Sequence, residues 1–197
     1  ILNRCKHDAH IIGPNKDEFR LAKNIVKART AKASEYLITT FFYPPIRKKR
    51  TTLVPPILRQ NIIDAVPTRG EHLLVYQTSE TFSKLPSLLE QLGCPSIVYG
   101  LRKVDEPVTE GNITYKPFSN EGFVSDLASA RGVCASAGFT LCGEAVHLGK
   151  PYLATPVRGQ FEQMLNARYL EDLGYGTYDE HLELPTLEGF LKRSDEF

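Results

Sequence analysis

Residues 132–155 read GVCASAGFTLCGEAVHLGKPYLAT, and this stretch decides the fold class. The short apolar run at 132–135 is typical of a buried strand, and 140–148 has the length and composition of a helix. Another short apolar run at 152–155 predicts a second strand, which follows a Gly-Lys-Pro helix stop. A strand, a helix and a strand in this order predict a βαβ unit with parallel strands.

The same alternation continues outward on both sides of this unit. The pattern predicts further elements, with strands at 72–77, 96–99 and 112–116 and helices at 82–92, 123–130 and 160–173. Short apolar strands that alternate with helices indicate an α/β fold. We therefore expect a Rossmann-like parallel sheet with helices on both faces.

The first part of the chain has a different pattern. Apolar residues recur at helical spacing in 15–33, which predicts an amphipathic helix, and the β-branched and aromatic residues of 35–42 predict a strand. Prolines then surround the basic run 47–50 within residues 43–70, a composition typical of a linker with a solvated loop. Because Ile1 is not preceded by a start signal, we expect the chain to be part of a longer protein.

Composition limits the classes of partner. Of the 197 residues, 42% are hydrophobic, which is enough for an ordinary core, and 24 Lys and Arg against 23 Asp and Glu give a formal charge of +1. This near-neutral balance predicts no nucleic-acid partner. No apolar run approaches the ~20 residues of a membrane span and no signal segment is visible, so we expect a cytoplasmic protein.

The cysteines favour free thiols in a reducing compartment, because their wide spacing suits neither a disulfide framework nor a zinc site. They are Cys5, Cys94, Cys134 and Cys142. His7 and His10 lie close to Cys5, but three such residues in a short polar stretch are more typical of ordinary surface residues than of a metal site. We therefore expect neither a metal ion nor a cofactor.

Ligands of open α/β sheets bind beyond the carboxyl ends of strands, where a loop leads into a helix. The loop from Cys134 to Thr140 has this position, and its small residues let backbone N–H groups approach a ligand. The helix N-terminus adds roughly half a positive charge, and Ser136 and Thr140 add hydroxyl groups, which together suit a diphosphate. The alternative is an ordinary strand-to-helix turn with a serine cap.

Two sets of polar residues follow this loop. Glu144 lies about one helical turn after Thr140 on the same face, where its carboxylate suits a ribose diol, although an exposed helical glutamate is the alternative. Beyond the next strand, a helix start carries side chains of the type that bind sugar hydroxyls: Gln160, Glu162, Gln163 and Asn166. A polar first turn is equally a feature of any surface helix.

The order of these signals resembles that of one family. The stretch SAGFTLCGEAVHLGKPYLATPVRGQFEQMLNARYLEDLG, residues 136–174, is similar to the donor-binding segment of glycosyltransferases with two facing Rossmann-like domains, the GT-B fold. The similarity is to the family 28-like branch that contains the peptidoglycan N-acetylglucosaminyltransferase and plant galactolipid synthases. It covers residues 70–174 well and the preceding residues poorly. The matching positions are Ser136, Gly138, Thr140, Glu144, Gly149, Pro151, Pro156, Glu162, Gln163, Asn166 and Ala167.

The resemblance assigns a part of the donor to each set of residues. It implies that the diphosphate contacts Ser136, Ala137, Gly138, Thr140, Thr78 and Ser79. The ribose would lie against Glu144, with the nucleobase on the side of Lys116 and Phe118. The transferred sugar would contact Gln160, Glu162, Gln163 and Asn166. Where the peptidoglycan enzyme has a glutamine this chain has Glu162, which leaves glucose, galactose or another sugar open besides N-acetylglucosamine.

The resemblance also implies an activity and a domain organisation. The enzyme would transfer a hexose or N-acetylhexosamine from a nucleoside-diphosphate sugar, preferably a UDP-sugar, to an acceptor hydroxyl with inversion. Residues 1–67 would be the end of the N-terminal, acceptor-side domain and the linker, and residues 68–197 the donor-binding domain. The general base is expected in the N-terminal domain upstream of this chain, so that the chain by itself is incomplete for catalysis.

The acceptor class and two alternative functions stay open. A lipid or glycan acceptor would make the enzyme peripheral to the inner membrane face. A non-catalytic nucleotide-binding module of the same fold is one alternative. A UDP-sugar epimerase of the same architecture is the other, and it would carry additional acid and base carboxylates in the donor loops.

Overall fold

A computed structural model describes residues 1–78, 83–194 and 196. The first part of the chain forms α1 (Ala9–Ile12), α2 (Lys16–Arg29), β1 (Tyr36–Thr39), β2 (Thr51–Val54) and α3 (Gln60–Ile63). β1 and β2 are parallel neighbours and form the small sheet. The ring of Phe42, just after β1, stacks on the ring of Tyr169 with centroids 3.8 Å apart, so the small sheet is attached to the rest of the chain through aromatic packing.

The second part of the chain alternates strands and helices, as the sequence predicts. Its elements are β3 (Leu73–Tyr76), α4 (Leu85–Leu92), β4 (Ser96–Tyr99), β5 (Val108–Glu110), β6 (Ile113–Tyr115), α5 (Asn120–Ala128), β7 (Gly132–Ala135), α6 (Phe139–His147), β8 (Tyr152–Ala154), α7 (Phe161–Asp172), β9 (Gly176–Tyr178) and α8 (Leu184–Arg193). The strands form the main sheet, in the order β5-β6-β4-β3-β7-β8-β9. Its pairs are parallel except at the edge, where β5 is antiparallel to β6.

Alternate residues of the central strands pack on opposite faces of the main sheet. Leu74 of β3 belongs to a core with residues of α5, α6 and α7, whereas Leu73 and Val75 belong to a core with residues of α4 and α8. All three side chains are fully buried. Successive side chains of a strand point to opposite faces of the sheet. A strand that is buried on both faces therefore needs consecutive apolar residues, as in the LLVY sequence of β3. The expected α/β sheet with helices on both faces is confirmed.

The centre of the main sheet is a topological switch point. β3 pairs with β7, placing Tyr76 opposite Ala135, although β4, β5 and β6 come between them in the chain. The chain leaves β3 toward one edge of the sheet and leaves β7 toward the other edge, which opens a crevice at the carboxyl ends of these two strands. The predicted diphosphate turn follows β7 at this crevice.

The structure corrects the interpretation of residues 43–70 as a linker only. β2 and α3 lie within this segment, and the four residues of the basic run are exposed just before β2. A four-residue strand such as TTLV is defined by its pairing with β1, a contact that local composition does not encode. The edge strands β5 and β9 and the final helix α8 also had no sequence prediction.

The interpretation of Cys5 and His7 as ordinary surface residues is wrong. Cys5 is buried, and Nδ1 of the half-buried His7 lies 2.9 Å from the hydroxyl of Tyr169. His10 is exposed and lies 2.8 Å from Asp172. Among the described residues, no three His, Cys, Asp or Glu side chains converge in a way that could hold a metal ion.

The four cysteines are free and buried. Within the part of the chain that the structure describes, no helix has both the length and the apolar character needed to cross a bilayer.

Candidate functional site

Two side chains donate hydrogen bonds to backbone carbonyls of the turn after β7. The Tyr152 hydroxyl donates to the carbonyl of Ser136 at 2.8 Å, and the amide nitrogen of Asn166 donates to the carbonyl of Ala137 at 3.0 Å. Gly138 is the N-cap of α6, and a Cβ added there would meet no atom within 4 Å. The first N–H groups of α6 have no partner inside the helix. The turn therefore presents a helix N-terminus to open space.

This turn forms one side of a cleft of about 340 Å³ at the switch point. Five residues predicted to bind the donor line it, namely Ser136, Gly138, Thr140, Glu144 and Phe118. Arg59, Tyr76, Phe123, Phe139 and Leu141 complete its walls. The cavity thus brings together residues that were predicted to bind three different parts of the donor: the diphosphate, the ribose and the nucleobase.

Aromatic rings form the opposite wall. The Tyr76 and Phe123 rings meet edge to face with centroids 5.5 Å apart, and the Phe118 ring lies 5.8 Å from that of Phe123. Phe118 is 65% exposed, so a large apolar ring faces solvent beside the cleft. An exposed ring supported by buried rings is suited to stacking against a planar group such as a nucleobase.

Glu144 is not the exposed helical glutamate of the alternative interpretation. Its residue is 2% exposed, and Arg59 donates to both carboxylate oxygens, Nε to Oε1 and Nη2 to Oε2, each at 2.8 Å. Nη1 of the same guanidinium donates to Oδ1 of Asn120. The cleft therefore contains a bidentate ion pair between the segment after β2 and helix α6.

Sequence analysis missed Arg59. It lies 85 positions before Glu144, in a segment whose composition is typical of a linker. The sequence around it, PPILRQN, has no spacing that marks a ligand-binding residue. Only the path of the chain over α6 brings its guanidinium to the cleft.

Four residues predicted near the donor do not line the cleft or lie outside the described residues. One is Ala137, whose side chain is fully buried. The Lys116 ammonium pairs with the Asp126 carboxylate at 2.8 Å, and Asp126 also accepts a 2.6 Å hydrogen bond from Tyr99. Burial and this bond raise the pKa of Tyr99. Thr78 is exposed after β3 and does not line the cleft. Ser79 lies outside the residues that the structure describes.

The residues predicted to contact the sugar have different environments. Gln160 lines a second cleft of about 330 Å³ with Asn15, Glu18, His181 and the loop after β8. Gln163 orders that loop, because its Oε1 accepts from the Val157 N–H at 2.9 Å and its Nε2 donates to Gln160 at 2.6 Å. Glu162 is exposed at the start of α7. Asn166 is buried beneath the diphosphate turn, as described above.

Comparison with known proteins places the chain in a family. A family model described as Glycosyl transferase family 1 matches residues 1–194. The chain belongs to glycosyl transferase family 1. The match includes residues 1–69, where the sequence resemblance was poor, and it confirms the expectation of a glycosyltransferase.

One relative is a peptidoglycan enzyme. The UDP-N-acetylglucosamine--N-acetylmuramyl-(pentapeptide) pyrophosphoryl-undecaprenol N-acetylglucosamine transferase of Histophilus somni (strain 129Pt) is 26% identical over 166 residues, 79% of this chain and 45% of that protein. This relative comes from the branch that the sequence resembles.

Solved glycosyltransferase structures share the fold. LpCGTa in complex with UDP matches with a TM-score of 0.58 at 19% identity, over 92% of this chain and 49% of that one. The glycotransferase of kitacinnamycin matches with a TM-score of 0.58 at 18% identity, over 76% of this chain and 42% of that one. The chain thus spans about half the length of the relatives it matches. Its fold is of the GT-B type.

Proposed function

We propose that this chain supplies the donor-binding part of a glycosyltransferase that moves a hexose or N-acetylhexosamine from a UDP-sugar to an acceptor hydroxyl. The observation that carries the proposal is the shared cleft, whose lining includes the turn that opens α6, Glu144 and an aromatic wall. The proposal keeps the sequence-based division, with residues 68–197 as the donor-binding domain and residues 1–67 as the end of the acceptor-side domain.

In this proposal the turn at 136–140 binds the diphosphate. The backbone N–H groups of the first turn of α6 and the hydroxyls of Ser136 and Thr140 supply hydrogen-bond donors, and the helix adds roughly half a positive charge. Ala137 contributes its backbone, since its side chain is fully buried. Thr78 and Ser79, which follow β3 in the sequence, remain candidates for contact with the phosphates.

In this proposal the nucleoside and the sugar extend in two directions from the diphosphate. The nucleobase stacks near Phe118 and the ribose diol binds Glu144. The sugar points toward the loop after β8, with Gln160, Glu162 and Gln163 as its partners, whereas Asn166 acts through the Ala137 carbonyl that it holds. Lys116 supports the nucleobase side indirectly, because its ammonium is engaged by Asp126.

Transfer would proceed with inversion at the anomeric carbon. The acceptor hydroxyl attacks the sugar while the leaving UDP gains negative charge, and the helix N-terminus stabilises that charge because its dipoles are already oriented. The general base that takes the acceptor proton is proposed to come from the acceptor-side domain. We also propose a cytoplasmic location, supported by the four free thiols, with peripheral membrane contact if the acceptor is a lipid.

The test is calorimetric titration of the parent and of Gly138→Val with UDP. Because the Cβ of residue 138 would project into open space and its φ of −65° suits any residue, the variant should fold while the valine blocks the helix N-terminus. We expect UDP affinity to fall about tenfold or more, the scale of one charge-assisted hydrogen bond.

Gly189→Val, the same change on α8 away from the cleft, is the matched control and should keep the parent affinity. Unchanged UDP affinity in a folded Gly138→Val protein would rule out the diphosphate assignment. The same titration with UDP-N-acetylglucosamine, UDP-glucose, GDP and dTDP would identify the base and the sugar.

A further inference from the structure

We propose that the Arg59–Glu144 ion pair is a latch, in which Arg59 competes with the donor ribose for one carboxylate. The inference rests on the proposed function, since Glu144 is the ribose ligand there. Arg59 occupies both carboxylate oxygens at 2.8 Å, and with Arg59 in place Glu144 is 2% exposed. A diol cannot reach the carboxylate in this arrangement, so donor binding requires the pair to open.

The segment that carries Arg59 contacts α6 at two adjacent positions, Gly143 and Glu144. Residues 55–59 have no regular secondary structure, and the side chain of Ile57 is largely exposed. Pro56 packs directly on Gly143, where an added Cβ would come within 3.0 Å of the proline ring. The steric contact at Gly143 and the ion pair at Glu144 therefore lie next to each other and hold the same segment.

The chemistry of the pair favours exchange rather than simple rupture. A buried carboxylate that loses its cation is strongly destabilised unless new donors replace the lost hydrogen bonds. A ribose diol provides two hydroxyl donors of this kind, one for each oxygen. The Arg59 side chain is 36% exposed, so its guanidinium can move into water when the diol arrives. A ligand that supplies such donors therefore shifts the equilibrium toward the open latch.

This exchange would couple the donor site to the small sheet. Arg59 immediately precedes α3 and follows β2 by only a few residues. When the ion pair opens, the segment between β2 and α3 loses its polar contact with α6. Donor binding would then increase the conformational freedom of the segment that joins the two sheets.

The test measures uridine affinity of the parent and of Arg59→Ala. Uridine has the ribose diol but lacks the phosphates, so it carries no anionic group to which the released guanidinium could bind instead. If the latch is closed nine-tenths of the time, removing it makes uridine bind about tenfold more tightly, because the competent fraction rises to one. Arg59→Lys keeps the cation but loses the two-nitrogen fork, and we expect an intermediate gain.

Arg102→Ala is the matched control, because it removes an arginine from an exposed pair with Glu110 outside the cleft, and its uridine affinity should equal that of the parent. A second readout is hydrogen exchange of residues 55–63. Uridine should speed this exchange in the parent and leave it unchanged in Arg59→Ala, which has no ion pair for the ribose to displace.

The outcomes separate the latch from the proposed function. If the parent binds UDP and Gly138→Val does not, but Arg59→Ala binds uridine no more tightly than the parent, the latch is overturned and the donor site stands. Slower exchange of residues 55–63 with uridine would also overturn it. If neither the parent nor Arg59→Ala binds UDP or uridine, both proposals fall.

Discussion

Residues 1–67 carry 13 Lys and Arg against 5 Asp and Glu, whereas residues 68–197 carry 11 against 18. The formal charges are therefore +8 and −7, and the overall +1 conceals a strong asymmetry. The two regions also differ in burial. Helix α2 has no buried residue and Leu37 of β1 is 75% exposed, whereas the side chains at the centre of β3 are fully buried.

The difference shows that the two regions are stabilised in different ways. The main sheet has a core on each face and depends on close packing of its strands and helices. The first region depends on its attachment to α7, through the Phe42–Tyr169 stack and through the contact of the Phe19 ring of α2 with the Phe161 ring at 5.5 Å. Substitutions in the main sheet should therefore unfold the protein, and those at the attachment should mainly release the first region.

The largest effect is expected inside the main sheet. A Cβ at Gly176 would lie 1.9 Å from the carbonyl oxygen of Tyr152 in the neighbouring strand, and backbone atoms cannot move aside without breaking the β8–β9 pairing. Gly176→Ala should lower the free energy of unfolding by about 4 kcal/mol or more, measured by urea denaturation. Gly189→Ala, on α8, where the added Cβ would meet only Nη1 of Arg193 at 3.9 Å, should raise it by about 0.5–1 kcal/mol. Equal stability of the two variants would contradict the packing difference.

A substitution at the attachment should have the next largest effect. Phe42→Ala removes the ring stacked on Tyr169 and should cost about 3 kcal/mol. Hydrogen exchange should then accelerate in β1 and β2 while β3 and β7 stay protected. The exposed neighbour Tyr43 is the control, and Tyr43→Ala should change neither quantity appreciably. Uniform acceleration in both sheets would mean that the regions unfold as one unit.

The pH dependence of stability should report on the same attachment. Burial is the main cause that lowers the pKa of His7; the Asp8 carboxylate opposes this shift and the Lys23 ammonium adds to it. The unfolded chain therefore binds the proton more readily, so stability falls as pH drops below the ordinary histidine value of about 6.5. Thermal melting at pH 7.5 and 5.5 should show a larger acid-induced decrease for the parent than for His7→Gln. Identical decreases would exclude His7 as a contributor.

The smallest effect is expected from the charge asymmetry. Lys48 lies among exposed cations of the basic run and within the field of Arg4, Lys23, Lys27 and Arg47. Lys48→Gln relieves repulsion but loses a hydrogen bond to Asn3, so any gain in stability should stay within about 0.5 kcal/mol. The gain should vanish at 1 M salt, where the Debye length is about 3 Å. Lys103→Gln, in the acidic region, should bring no gain at either salt concentration.

The fold was predictable wherever a segment carries its own periodicity. Strands β4 and β7 begin and end where the sequence predicts, and the helices around them differ by a few residues at their ends. The strands that were missed are short or lie at an edge. β2, β5 and β9 have three or four residues each, and such strands are defined by their partners rather than by their own composition.

The candidate site was predictable in part for the same reason. Ser136, Thr140 and Glu144 lie within nine residues of one another, so their spacing on a turn and one helix predicts a common face. That they share one cleft is what the structure adds. Gln160 and Asn166 were grouped from their closeness in sequence, yet one lines a second cleft and the other lies beneath the turn.

The sequence by itself determined the α/β alternation and the turn that opens helix α6, because both depend on the order of residues that are neighbours in the chain. Tertiary structure decided which strand lies beside β7, and therefore that Tyr76 and Phe123 face the turn across a cleft. It also decided that Arg59 pairs with Glu144 across 85 positions. Contacts between distant segments depend on how the whole chain packs, and local pattern does not encode them.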